Sequence, residues 1–214
     1  MTMSSAAIES RGSLRAQFRD SARAAILDAA ERTFSDHGLE HGRMEGIAKQ
    51  AGVSVGTLYN HFADREALIT ALIDQRRREL IEHVDAALDE AAEPFAPRLA
   101  AFLSAVLEHF ERHRRFLSIV AQGERPGARL RLTRPHAQPT PTLQALVERA
   151  ERLMARGVRQ KALARERPEL LAALLVGMLR SVLVRELLGP LPRGGAADLA
   201  KRIHRLFLQG ARRT

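Results

Sequence analysis

The groups in this chain that could do covalent or metal chemistry are few. There is no cysteine, which excludes disulfides, thiolate metal sites and cysteine nucleophiles together. No Gly-rich phosphate loop and no nucleophile elbow occurs. Two histidine pairs are spaced i, i+4: His109 and His113, with Glu108 and Glu111 close by, and His37 and His41, with Gly38 between them. On a helix that spacing sets two imidazoles over one face, where both can reach a metal ion. The charges beside the first pair, Glu111-Arg112 and Arg114-Arg115, instead mark a solvated face, and Gly38 interrupts the second pair. No catalytic residue, metal or cofactor is therefore assigned, and an enzyme built around His109 and His113 stays a rival.

A different chemistry is concentrated between Val55 and His61. Short or flat polar groups (Thr57, Tyr59, Asn60, His61) surround one apolar residue, Leu58. A short helix held down by Leu58 presents such groups outward, where they can hydrogen-bond an extended polar surface. The stretch before it, Met44 to Ala51, carries Met44, Ile47, Ala48 and Ala51 at helical spacing. Gly52 then stands where a left-handed residue closes a helix, and Ser54 is an N-cap for the next. Helix, Gly-containing turn and helix make the helix-turn-helix pattern.

The residue identities sharpen that pattern. Ile47-Ala48, Ala51-Gly52-Val53-Ser54, Gly56-Thr57-Leu58-Tyr59, His61-Phe62 and Arg65-Glu66-Ala67-Leu68 resemble, in that order, the TetR family of transcriptional regulators. Ile26-Leu27-Ala29-Ala30, Phe34 and Gly38 resemble that family's first helix. The resemblance covers roughly Arg23 to Leu72 and implies double-stranded DNA as a partner. By resemblance, Thr57 and Asn60 reach base edges, and Gly56 permits close approach. Val55 stands where the family often has a lysine or polar residue; it can touch a thymine methyl but cannot make a bidentate guanine contact. Tyr59 and His61 match positions that usually contact phosphate. Arg65 aligns with a frequent lysine and has a helix start beside it. Arg43 replaces a common threonine, which removes a capping hydroxyl and adds a charge. Lys49 is a phosphate neighbour rather than a base reader.

The elements that position these groups follow from the periodicity. Residues 1–19 are polar and small, and are expected as a flexible arm whose Arg11 and Arg15 can touch DNA. Asp20 or Ser21 caps a helix from Ala22 to about His37, with Ile26, Leu27, Ala30 and Phe34 in one stripe. Residues 20–63 thus make a three-helix domain. Asp64 caps a connecting helix of 64–93, on the order of 40 Å long. Glu93-Pro94-Phe95-Ala96-Pro97 opens a C-terminal domain, 94–214, of amphipathic helices. One is expected from Arg98 to His109 or beyond, a short one from Arg114 to Gln122, and others at Thr142–Gly157, Glu169–Leu188 and Ala196–Gly210. Gly123 to Pro141 reads as a loop. The fold class is all-α.

Charge does not locate the DNA reader. The chain is +9 over 214 residues. Residues 1–62 hold seven basic against seven acidic groups, whereas 136–214 hold fifteen against six. The excess is read as an arginine-rich surface that favours a neutral or anionic ligand. No apolar run approaches the roughly 20 residues a bilayer requires, and the N-terminus has no apolar core of a secretory signal, so no membrane and a cytoplasmic location are expected.

For a small-molecule effector, Phe102, Val106, His109, Phe110, Phe116, Leu146, Met154 and Met178 can frame an apolar site with a few polar groups; ordinary bundle core is the plainer reading of each. The helix from Glu169 is apolar on two sides and needs two burial partners. The resemblance implies a homodimer through the last two long helices, with Leu175, Leu179, Val182, Leu199, Ile203 and Leu206 as its interface. It implies most often repression at a palindromic operator, relieved when a ligand sets the two reading heads at the wrong separation. A ligand carrier without specific DNA binding is the other alternative.

Overall fold

The computed structural model describes residues 4–117, 141–188 and 194–211, with side chains described from residue 17 onward and not for 186–188 or 211. The regular elements among these residues are helices: α1 (Ser4–His41), α2 (Met44–Ala51), α3 (Val55–His61), α4 (Arg65–Glu90), α5 (Phe95–Arg112), α6 (Pro141–Arg159), α7 (Pro168–Leu188) and α8 (Gly195–Ala211). Residues 114–117 are helical as well. The loop expected over Gly123 to Pro141 falls almost wholly outside the described residues, as do the side chains of Arg11 and Arg15.

Most helix starts and stops are those that local chemistry requires. The α2 helix ends at Gly52, whose φ of 71° lets its N–H turn back to the carbonyls of Ala48 and Lys49; an L side chain resists that conformation. Arg43 precedes α2 without a side-chain cap. Ser54 caps α3, its hydroxyl accepting the Thr57 N–H at 3.0 Å. Asp64 caps α4 in the same way, its carboxylate accepting the Ala67 N–H at 2.8 Å. The N-terminus departs from expectation: the chain is helical from Ser4 rather than from Ala22, so the arm of 1–19 is largely an extension of α1. Residues 4–21 contain no proline, and extending an existing helix avoids the cost of a new nucleus. The continuous helical span also crosses Gly38, but there the backbone (φ 81°, ψ 165°) breaks α1 into two pieces.

The chain divides into two compact units, 1–74 and 75–214, with the division falling inside α4. In the first unit α1 packs on α2 and α2 on α3. Its core contains Ile26, Leu27, Ala30, Phe34, Ile47, Ala48, Leu58, Phe62, Leu68 and Leu72, all buried. The Thr33 hydroxyl lies 2.8 Å from the Gln50 side-chain amide, tying α1 to α2. Gly42 is required by packing, because a Cβ there would stand 2.7 Å from the Phe34 ring.

The second unit packs α5 against α8 and α6 against both α5 and α7. Its core runs from Leu80 and Val84 through Phe95, Leu99, Phe102, Leu103 and Val106 to Leu153, Met154, Leu171, Leu175, Leu179, Ile203 and Phe207. Arg149 of α6 donates to Asp85 of α4 through both Nε (2.6 Å) and NH2, an ion pair that spans the two helices. Gln160 caps α5, its carbonyl oxygen accepting the Phe95 N–H at 2.9 Å.

The expected dimer face needs correction. Leu175, Leu179 and Ile203 are buried in this unit's own core, so their side chains are spent within one chain. Val182 and Leu199 are partly buried against that core. Leu206 is 59% exposed and Leu174 58%, with Leu170 also exposed. Leu170, Leu174 and Gly177 repeat at spacings of four and three along one face of α7, and a Cβ at Gly177 would meet nothing within 4 Å. The apolar surface left over on α7 is thus one residue around the helix from where the leucine pattern put it.

Candidate nucleic-acid interface and the C-terminal core

In the first unit the candidate residues lie on α3 and its flanks. Leu58 and Phe62 are buried and hold α3 to the core, while Tyr59 is 45% exposed and Val55, Gly56 and Asn60 are exposed. A seven-residue helix anchored by one buried side chain and its C-cap leaves the opposite side open over its length. Arg43 before α2 and Lys49 within it are exposed as well.

Three members of the set are less free than the sequence suggests. The Thr57 hydroxyl lies 2.8 Å from the Ser54 hydroxyl and is part of the cap. His61 is partly buried, its ring 6.2 Å from that of Phe62. Arg65 is partly buried with its guanidinium 5.8 Å over the Phe34 ring, so it supports the core as well as offering charge. Arg23 of α1 stacks similarly on Phe62, 4.8 Å from its centre. This contact, unread in the sequence, braces the residue that ends α3.

In the second unit, Phe102, Val106 and Met154 belong to one buried core, with Phe110, Leu146 and Met178 packed around it. Phe116 and His109 are also buried. The solvated face expected for His109 and His113 is corrected: they are 3% and 9% exposed, and their rings stand 4.7 Å apart. The flanking charges point outward while both imidazoles turn in, because residues 109 and 113 continue the apolar stripe of Phe102 and Val106. Among the described residues no group of three or more His, Cys, Asp or Glu can hold a metal ion.

Facing this pair are groups that sequence reasoning missed. Arg76 of α4 is only 7% exposed, and its NH1 donates to both carboxylate oxygens of Glu79 at 2.8 Å. Gln75 donates to Glu79 as well. Partial burial pushes the Glu79 carboxyl up, but the hydrogen bonds from Gln75 and Arg76, with the charges of Arg76 and His113, outweigh it and hold the group below the usual range. Burial, reinforced by His113, lowers His109 to about 4 against the pull of Glu79. A polar residue at a core position of an amphipathic pattern was the available signal, and Arg76 and Glu79 lacked it because both read as surface charge. A separate cleft of about 530 Å³ is lined by Phe95, Ala96, Lys161, Ala162, His204, Arg205, Leu208 and Gln209 and contains none of the expected effector residues.

Residues 26–72 match the family model of bacterial regulatory proteins, tetR family. The HTH-type transcriptional regulator UidR of Escherichia coli (strain K12) is 45% identical over 69 residues, 29% of this chain and 35% of that protein. The chain spans about a third of the length of that curated relative. Among solved structures, the fatty acid degradation regulator FadR from Bacillus halodurans is similar at a TM-score of 0.65 and 19% identity, over 88% of this chain and 98% of that one. The TetR family transcriptional regulator PfmR from Thermus thermophilus is similar at a TM-score of 0.61 and 24% identity, over 88% and 99%. Both likenesses concern the fold, which extends through both units.

Proposed function

We propose that this chain, which belongs to the tetR family of bacterial regulatory proteins by its N-terminal domain, is a sequence-specific DNA-binding transcriptional regulator rather than an enzyme. The observation that carries the reading is α3: Leu58 and Phe62 seat it while Val55, Gly56, Tyr59 and Asn60 remain exposed along it. Short side chains and a glycine allow a helix to enter a major groove and reach base edges. Arg43, Lys49 and Tyr59 supply phosphate contacts, with His61 and Arg65 at the margin.

The same reading has two chains bind a palindromic operator, since half-sites repeat about every 34–36 Å and a two-fold dimer matches them. Leu170 and Leu174 of α7 and Leu206 of α8, with Val182 and Leu199 beside the core, are the side chains offered for that pairing. A small, mostly apolar effector in the core around Phe102, Val106 and Met154 would favour a state with its heads wrongly spaced. The coupling is a difference in effector affinity between two states and is therefore reciprocal. The continuous helix α4 begins beside the reader and ends in the effector unit, which makes it the transmitter in this scheme. Among the described residues no helix is long and apolar enough to cross a membrane, and a regulator of bacterial chromosomal DNA works in the cytoplasm.

The test is fluorescence anisotropy with duplex DNA from upstream of the protein's own gene, at several salt concentrations and against random duplex. Tight binding to a near-palindromic site, surviving competitor and lost on Tyr59→Ala, is the expected result. Affinity that is equal for all sequences and vanishes as salt rises would reduce the reading to phosphate attraction and favour a ligand carrier.

A further inference from the structure

The cleft of about 530 Å³ in the second unit falls in the roughly 300–1,000 Å³ range of small-molecule sites. Three segments distant in sequence wall it: the first turn of α5, the turn that follows α6 and the last turns of α8. Polar ties brace these walls. His204 of α8 donates from Nε2 to the Ala96 carbonyl oxygen at 3.0 Å, since a carbonyl can only accept. Gln160 reaches from the end of α6 to the Phe95 N–H. Phe95 is buried, and Ala162 and Leu208 pack against the same core, so the inner surface is apolar. Lys161 and Arg205 are exposed at its edge. Among the described residues neither cationic side chain has an ion-pair or hydrogen-bond partner, and none that lines the cleft is acidic. Glu93, close by in sequence, is held by Arg98 and Arg156. Lys161 also takes a φ of 57°, a left-handed conformation that closes α6 and that glycine or asparagine occupies at lower cost. Backbone chemistry therefore does not account for a lysine there.

We propose that this cleft binds an amphipathic monoanion, a molecule with an apolar body and one carboxylate, at a place apart from the core assigned above to the effector. The inference stands beside the effector reading and does not need it. Charge complementarity decides the class. An ammonium group would meet two cations and no acid, and a neutral molecule would leave both charges unused. Double-stranded DNA is held by rows of cations on an open surface, whereas here two cations border an apolar floor. The Arg205 guanidinium can hold a carboxylate through two parallel hydrogen bonds, and the Lys161 ammonium adds a second charge. The first turn of α5 contributes the partial positive charge of a helix start to the same wall. The apolar body then lies on Phe95, Ala162 and Leu208. At 100° per residue, His204, Arg205, Leu208 and Gln209 occupy an arc of about 140° on α8, and Leu206 and Leu199 fall outside it. The side of α8 offered above for pairing with a second chain is therefore not the side that lines the cleft.

The test is isothermal titration calorimetry of the full-length protein, at pH 7.5 and low salt without DNA, with three molecules of one skeleton: 2-naphthoate, 2-naphthamide and 2-naphthylmethylammonium. Naphthoate should bind roughly 10-fold more tightly than the neutral amide, since each exposed ion pair is worth up to about fivefold, and the ammonium should not bind. The advantage should shrink as salt rises. Lys161→Asn combined with Arg205→Gln should bring naphthoate down to naphthamide and leave naphthamide unchanged. Lys161→Asn alone should keep or raise the melting temperature while weakening naphthoate, which separates binding from folding. Arg202→Gln, which removes a cation of α8 already paired with Asp198, should leave the preference intact. Equal binding of naphthoate and naphthamide, or binding of the ammonium, would overturn the anionic class. A preference that persists in the double variant would place the anion elsewhere, and one lost equally in Arg202→Gln would reduce it to net charge. No binding by any of the three would remove the site. Because no DNA is present, these outcomes are separate from failure of the regulator reading, which anisotropy alone reports.

Discussion

The two units handle polar chemistry in opposite ways. The first keeps its core apolar around Phe34, Leu58 and Phe62 and carries its candidate DNA-contacting groups outside, on a seven-residue helix. The second draws polar groups inward: Arg76, His109 and His113 are buried amid leucine, phenylalanine and valine. In the proposed reading, a surface that meets a hydrated polyanion keeps its donors in water until contact, where their desolvation cost is small. A core that holds polar groups away from water bears that cost permanently unless the groups pair with one another. The difference separates what can be changed freely from what cannot.

The largest effect that would break this contrast is in the first core. Phe34→Ala should lower that unit's stability by about 3–5 kcal/mol, because the ring is fully buried and both Gly42 and Arg65 are fitted to it. Denaturant unfolding followed by circular dichroism should show one transition moved and operator binding lost with it. A single unchanged transition would mean that the two units do not melt separately.

The buried histidine gives the next effect, and its sign can be worked out. His109 titrates near 4 in the folded chain and near 6.5 when unfolded. As pH falls below 6.5 the unfolded chain binds a proton that the folded chain refuses, so stability declines from pH 6.5 down to 4. The loss is on the order of 2–3 kcal/mol. The lowered Glu79 carboxyl acts in the same direction at the acid end, its contribution present above the ordinary carboxylate range and lost below it. Thermal melts between about pH 4 and 7.5 should show this slope and its reduction in His109→Leu. A slope unchanged by the substitution would place the acid sensitivity elsewhere.

Gly157→Ala should cost about 1–3 kcal/mol, since the new methyl would stand 2.8 Å from both Leu163 and the Phe95 ring. Operator affinity should not change at temperatures where the variant is folded. The smallest effect sharpens the contrast on the outer surface. Ser54→Ala removes the cap of α3 and should cost about 1 kcal/mol. It should weaken operator binding more than that figure implies, because the same hydroxyl contacts Thr57. Equal losses in stability and binding would make Thr57 a bystander.

Much of the first unit could be read in the chain itself, because its determinants are local. Gly52 must take a positive φ, Ser54 and Asp64 must cap, and Leu58 recurs at helical spacing with Ile47 and Phe62 around it. Local steric and hydrogen-bond rules act over about four residues, so a linear sequence displays them. The all-α class and the approximate bounds of α2 to α8 follow from the same periodicity. Packing decided the rest. Whether Leu175 or Leu174 faces outward depends on a rotation of about 100° around α7, and a helix apolar on two sides does not show which side its own core takes. Whether His109 and His113 meet water or the core depends on what packs over that side of α5, and α4 comes close enough to α5 for His83 to lie 3.8 Å from Glu108. Charges flanking a histidine describe its neighbours on the chain, and only the fold describes its neighbours in space.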